Sequence, residues 1–239
     1  MLKVDFKRMF TMPLVYIMAG VCLVLPILIL VMTSLMGSGD GSGMFTNVWQ
    51  AIGSDSGSAT GMDLTGMCNI NLLYFLILIF VCVFVADDFK SGYAKNLFTV
   101  RPKRIDYCIS KTLAGFAGAT IMLLTYFIGA MRGGAIAGLS FDAGTAGAGG
   151  IAACMFAKIF FALVFVAIAL VLAVTAKRRL WLSILCSFGA GMLLFTMIPM
   201  ITPLNSTIIN VIMCLAGGAV FAAGLGAISN VILRKTNIV

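Results

Sequence analysis

Residues 69–111 read NINLLYFLILIFVCVFVADDFKSGYAKNLFTVRPKRIDYCISK. An unbroken apolar run up to Ala86 gives way at once to the most polar stretch of the chain, with Lys90, Lys95, Arg101, Lys103, Arg104 and Lys111 set against Asp87, Asp88 and Asp106. The run is about the length of helix that crosses a bilayer core of about 30 Å, and the stretch after it has the composition of a loop held in water on the positive side of a membrane. Working outward, the same alternation recurs. Apolar runs over 14–36, 69–86, 112–131, 151–176, 180–198 and 208–233 predict six transmembrane helices. They use up most of the 239 residues and leave a single transmembrane domain, 1–239.

Composition agrees. Hydrophobic residues make up 62% of the chain and charged residues 10%, more apolar side chain than a soluble core can cover. Net charge is +8, and all eight acids are Asp. Fourteen of the sixteen basic residues fall in the N-terminus, the 87–111 loop, the Lys177-Arg178-Arg179 turn and the C-terminus. Six spans put all four of these segments on one side, so both termini are expected in the cytoplasm. Only Arg132 falls in an opposite loop, and Lys158 lies within the fourth span. The continuous runs exclude a β-barrel, whose strands alternate. The basic balance therefore implies anionic lipid and no nucleic acid.

Smaller features refine the outline. The run 12–36 is too long for a cleaved signal and reads as a retained first span. In residues 1–10, Leu2, Phe6, Met9, Phe10 and Pro13 share one helical face and Lys3, Asp5, Lys7 and Arg8 lie off it, as in a helix lying in the membrane interface. Pro26 is expected to kink the first span. Residues 44–52 are expected to rest as a short helix on the outer surface. Pro199 and Pro203 break the chain, and residues 199–210 form a broken or re-entrant outer turn. Gly217, Gly218, Gly224 and Gly226 offer a small-residue face for close packing of the last helix. Cys68 and Cys154 flank outer loops, and sequence alone does not pair them.

Candidate functional residues concentrate in the stretch 84–111, FVADDFKSGYAKNLFTVRPKRIDYCISK. Asp87–Thr99 has the makings of a helix with Asp87 and Asp88 at its start, where the dipole favours acids. Pro102 turns the chain at Arg101. Leu97 and Phe98 would form an apolar tip, fit either to dock on a partner protein or to dip into the bilayer while the surrounding bases hold lipid headgroups. Lys158 is the one strong charge within a span. Its amine either snorkels to the nearby headgroups or serves a transport pathway.

This stretch resembles the cytoplasmic loop after the second span in permeases of the ABC type-2 exporter family. The matching positions are Asp88, Gly92, Lys95-Asn96-Leu97-Phe98, Arg101-Pro102, Arg104, Tyr107 and Lys111, and more weakly the amphipathic start, the six spans and the broken outer segment. The resemblance implies a permease subunit in a prokaryotic plasma membrane. It would move a hydrophobic or amphipathic substrate (a drug, a lipid or an antimicrobial peptide) outward by alternating access, with a second identical or related permease beside it. It also implies that Asp87, Asp88, Gly92, Lys95, Asn96, Leu97, Phe98, Arg101, Pro102 and Arg104 couple to a separate ATPase. The chain has no G-x-x-x-x-G-K-[ST] phosphate loop, so ATP and Mg are expected on that partner, with no cofactor in this chain. Neither His nor Glu occurs in the chain, and Asp falls only in loops and at span ends, which argues against an intramembrane enzyme and a proton-coupled transporter. The remaining alternatives are a scaffold or regulatory subunit and a secondary transporter, whose ions backbone carbonyls can bind.

Overall fold

The computed structural model describes residues 1–37, 45–53, 69–100, 104–144, 146–177 and 179–235. The chain is all-α and membrane-integral. Among the described residues the helices are α1 (Leu2–Thr11), α2 (Pro13–Gly37), α3 (Leu73–Lys90), α4 (Tyr93–Val100), α5 (Arg104–Ala137), α6 (Gly147–Ala176), α7 (Leu180–Phe195), α8 (Ile198–Ile201) and α9 (Ile208–Lys235), with 3₁₀ turns at Val48–Ala51 and Ile70–Leu72. Among the described residues, five helices are long and apolar enough to cross a membrane, and α7 is a shorter apolar helix. Its 16 residues rise roughly 24 Å at about 1.5 Å each, less than the hydrocarbon core.

The helix α6 is the centre of the bundle: α9, α3, α5 and α7 all pack on it. The helix α2 packs chiefly on α5, and α9 touches α6 and α5. Both keep an apolar outer face, with Tyr16, Ile17, Leu28 and Met32 on α2 and Ile209, Met213 and Val220 on α9 exposed. In a bilayer such a face needs no protein cover, because lipid tails are as apolar as the side chains.

Close approach of α2 and α5 depends on glycine. A Cβ at Gly129 would collide with the Leu23 carbonyl oxygen and come within 2.8 Å of Pro26 Cγ, and one at Gly133 would meet Ile27 Cα at 2.8 Å. Gly129 and Gly133 are one small-x-x-x-small turn apart and seat the Pro26 segment of α2. On α9, by contrast, only Gly218 packs tightly, against the Phe160 carbonyl oxygen. Gly217, Gly224 and Gly226 face open space. The expected small-residue contact of the last helix is thus confined to one glycine.

Two boundaries differ from expectation for a shared reason. The helix α5 begins at Arg104, not at 112, so Lys111 lies two turns inside a helix. The helix expected from Asp87 does not start there. Asp87–Lys90 forms the last turn of α3, the chain breaks at Ser91–Gly92 with Gly92 at φ +74°, and α4 starts afresh at Tyr93. Asp87 and Asp88 therefore sit at a helix C-terminus, the unfavourable end for an acid. Nearby cations must hold them there.

The side of the bundle opposite the basic segments is folded inward. Of residues 44–52, expected as a short helix on the outer surface, the described part 45–52 packs into the bundle: Val48 and Ile52 are fully buried, and Val48 lies against Gly134. The chain breaks after Phe195. Pro199 then enters the first turn of α8, where its missing N–H leaves no bond unmade. Thr202, Leu204 and Ser206 of the irregular stretch that follows are buried, and the Leu204 backbone lies 3.3 Å from the Cβ position of Gly53. Irregular backbone at this depth is tolerated because protein surrounds it.

Candidate functional site

The basic side of the bundle is closed by a buried ionic clasp. Lys111 Nζ of α5 lies 2.7 Å from Asp88 Oδ2 of α3 and 3.0 Å from Asp5 Oδ1 of α1, and all three side chains are fully buried. Arg8 of α1 reaches Asp88 Oδ1 at 2.7 Å and Asp87 Oδ2 at 3.2 Å. The Tyr107 hydroxyl donates to Asp88 at 2.9 Å, and the Ser110 hydroxyl donates to Asp5. Lys111 also lies 3.9 Å from the centre of the Phe84 ring. Burial by itself favours the neutral form of the Arg8 guanidinium, but the carboxylates of Asp88 and Asp87 outweigh it and raise its pKa.

The clasp explains where the acids sit. Two carboxylates at the C-terminus of α3 oppose its dipole, and a third is buried on α1. The cations Lys111 and Arg8 neutralise them at hydrogen-bonding distance. It also revises the reading of α1. Asp5, expected off the packed face, is buried beside Met9, whereas Leu2 and Phe10 remain exposed.

The coupling candidates hang from this clasp. The Arg8 guanidinium stacks 4.0 Å from the Tyr93 ring at the start of α4. Ala94 is buried. Phe98 meets Tyr107 edge-on at 5.4 Å, and the Arg104 guanidinium lies 5.7 Å from the centre of the Phe98 ring. Leu97 and Phe98 are half-buried and packed on the core, so the expected apolar tip is absent: these two side chains fasten α4 to the bundle. Lys90, Ser91, Lys95, Asn96 and Thr99 form the exposed face instead. Gly92 supplies the left-handed break, Asp87 is partly exposed and Asp88 buried. Arg101 and Pro102 lie outside the described residues.

Lys158 is on the opposite side of the bundle and takes no part in the clasp. Its amine does not snorkel. The side chain is fully buried, and Nζ donates to Asn71 Oδ1 at 2.8 Å and to Thr202 Oγ1 at 3.0 Å. The Tyr74 hydroxyl donates to the Lys158 carbonyl at 2.9 Å, and the Cys154 thiol donates to the Thr202 carbonyl at 3.6 Å. Lys158 thereby ties the broken segment after α8 to the start of α3. The thiol of Cys154 is free, and Cys68 lies outside the described residues.

Sequence reasoning missed Asp5, Arg8 and Ser110 as site residues, and it quoted Tyr107 and Lys111 only for their place in the loop motif. The available signal was the pairing of an isolated Asp on an otherwise basic α1 with a Lys inside an apolar period. Compared with family models, curated proteins and solved structures, the chain matches none.

Proposed function

We propose that the chain is the membrane-spanning permease subunit of an ATP-driven exporter of a hydrophobic or amphipathic substrate, with α4 as the element on which a separate ATPase acts. The observation that carries this reading is the mounting of α4. One face is fastened through Tyr93, Ala94 and Phe98 to a clasp that joins α1, α3 and α5, while the other exposes Lys95, Asn96 and Thr99, with Lys90 exposed at the end of α3 beside it. A push on the outer face is delivered to three helices at once, because buried ion pairs resist separation.

In this reading ATP and Mg act on the partner, a second permease of the same or a related kind completes the pathway, and the basic side is cytoplasmic in a prokaryotic plasma membrane. The exposed Lys95 of α4 and Lys90 just before it suit an acidic cleft on the ATPase. The chain would be purified by a tag from its native membranes and assayed for ATP hydrolysis. Lys95→Glu/Asn96→Asp, which inverts the exposed face without touching the packed one, is expected to remove a copurifying ATPase while the chain still inserts. Retention of ATPase and transport by this variant would refute docking through α4. Loss of anionic-vesicle binding with no ATPase in any sample would make α4 a lipid anchor and the chain a scaffold.

A further inference from the structure

We propose that α1 is a releasable latch: its free end leaves the clasp and settles on an anionic bilayer surface, while Asp88 and Lys111 stay paired between α3 and α5. The assignment needs only that the basic side faces a membrane surface, and it holds for a permease and a scaffold alike.

The division of charge carries the inference. α1 brings Asp5 and Arg8 to the clasp, and the bundle brings Asp88 and Lys111, with Asp87 already partly exposed. The buried cluster therefore divides along α1 into two neutral pairs. Lys111 keeps Asp88 at 2.7 Å, and Asp88 keeps the Tyr107 hydroxyl at 2.9 Å. Asp5 and Arg8 are three residues apart with the acid first, an arrangement in which side chains of one helix pair with each other in water. Breaking a buried ion pair is costly because it strands a charge, and this separation strands none. Asp5 is also the less firmly held of the two buried carboxylates. Both Asp88 oxygens accept directed hydrogen bonds, from Arg8 and Tyr107, whereas Asp5 Oδ1 accepts none.

Packing and backbone agree. Two open clefts of about 220 and 430 Å³ run along the seam between α1 and α5. Leu2 and Phe6 line them opposite Leu113 and Phe116, so these side chains leave the seam unfilled. At the other end of α1, Met9 is fully buried, and its sulfur lies 3.5 Å from the Cβ position of Gly118. Met9 stays near the pivot: Met12 alone joins α1 to α2, and it is extended at φ −74° and ψ 124°. Pro13 disfavours helix at Met12, so the break persists and α1 swings as a rod roughly 15 Å long. Leu2, Val4 and Phe10 are exposed on that rod, as are Lys3 and Lys7. Apolar side chains set among bases are the pattern that binds an anionic interface.

The test is a pulsed electron paramagnetic resonance distance measurement on the full-length chain in lipid nanodiscs. Spin labels on genetically encoded azido residues at the exposed positions Val4 and Leu124 leave the native cysteines untouched. In phosphatidylcholine one short distance is expected. Phosphatidylglycerol of matched acyl chains should add a longer one, its population rising about fivefold for each base that reaches the surface. Asp5→Asn/Arg8→Gln should show the longer distance even in phosphatidylcholine, at a melting temperature close to that of the wild type, because Asp88 and Lys111 remain paired. Arg8→Lys keeps the charge and should stay docked there. If the double variant does not fold, Asp5→Asn alone, which leaves Arg8 on Asp88, takes its place. A wild-type distance that phosphatidylglycerol leaves unchanged overturns release to the bilayer. A distance that the charge-removing variant leaves unchanged overturns the ionic fastening of the latch. A melting temperature in that variant as low as in Lys111→Met overturns the division into two balanced halves.

Discussion

The Lys111 ammonium and the Asp88 carboxylate meet at 2.7 Å with both side chains fully withdrawn from solvent. They join the C-terminal turn of α3 to the second turn of α5. A buried pair of this kind contributes little net stability over a well-packed apolar pair, but the loss of one partner strands the other charge. Lys111 balances Asp5 as well, so it carries the greatest burden.

Lys111→Met should therefore destabilise the chain by about 3–5 kcal/mol, the cost of leaving a buried ion uncompensated. Adding Asp88→Asn to Lys111→Met should cost less than the sum of the single changes. Thermal unfolding of the four proteins of this cycle in one detergent measures the coupling. Strict additivity would show that the two groups do not interact.

Phe98→Ala should act on the fold of the loop before it acts on any partner. Its ring packs edge-on against Tyr107 and under Arg104, and an aromatic pair contributes about 0.5–1.5 kcal/mol beyond area burial. Trypsin cleavage after Lys95 should accelerate in Phe98→Ala and remain at the wild-type rate in Thr99→Ala, whose residue is exposed. An unaffected cleavage rate in Phe98→Ala would mean that α4 is held without this ring.

Lys158 should govern access to the bundle from the side opposite the clasp. Thr202→Val removes a hydroxyl that accepts from the Lys158 amine, and Lys158→Met removes the amine itself. Each leaves polar partners unpaired at a cost of about 1–3 kcal/mol. Both are expected to loosen the segment after α8 and expose Cys154, which is buried beneath it. Alkylation of Cys154 by a membrane-impermeant maleimide should rise in both variants and stay low in Thr202→Ser. Cys82, buried between Ser183 and Ser187 at 3.2 Å from each, reports global unfolding. If Cys154 stays unreactive in both variants, Lys158 does not hold this segment closed.

Glycine substitutions should divide sharply by helix. Gly133→Ala forces a Cβ to 2.8 Å from Ile27 Cα and is expected to separate α2 from α5 and reduce recovered monodisperse protein several-fold. Gly217→Ala and Gly224→Ala enter open space and should be silent, or slightly stabilising through helix propensity. Size-exclusion chromatography of the three variants distinguishes the cases, and equal behaviour would mean that the Pro26 segment is not seated on α5.

The outline of the fold was legible in the chain because the bilayer reads side chains one helix at a time. A run such as 151–176 must be helical to satisfy its backbone in lipid, and α6 covers Gly147–Ala176. The helix break near Pro199 followed from proline geometry for the same local reason. The left-handed break that separates Asp88 from α4 also has a local cause, a glycine at 92, but its placement was not foreseen. What the sequence could not determine is which charges face one another. Lys111 looked like the edge of a loop because a lone lysine beside other bases reads as solvated. Its partners Asp5 and Asp88 become neighbours only when α1, α3 and α5 pack, and Ser110 reaches Asp5 across 105 residues of chain. Lys158 likewise looked able to reach the headgroups, yet Asn71 and Thr202 draw its amine inward. Apolar periodicity reports burial within one helix, whereas the neutralisation of a buried charge depends on another helix arriving, and that was decided by tertiary packing alone.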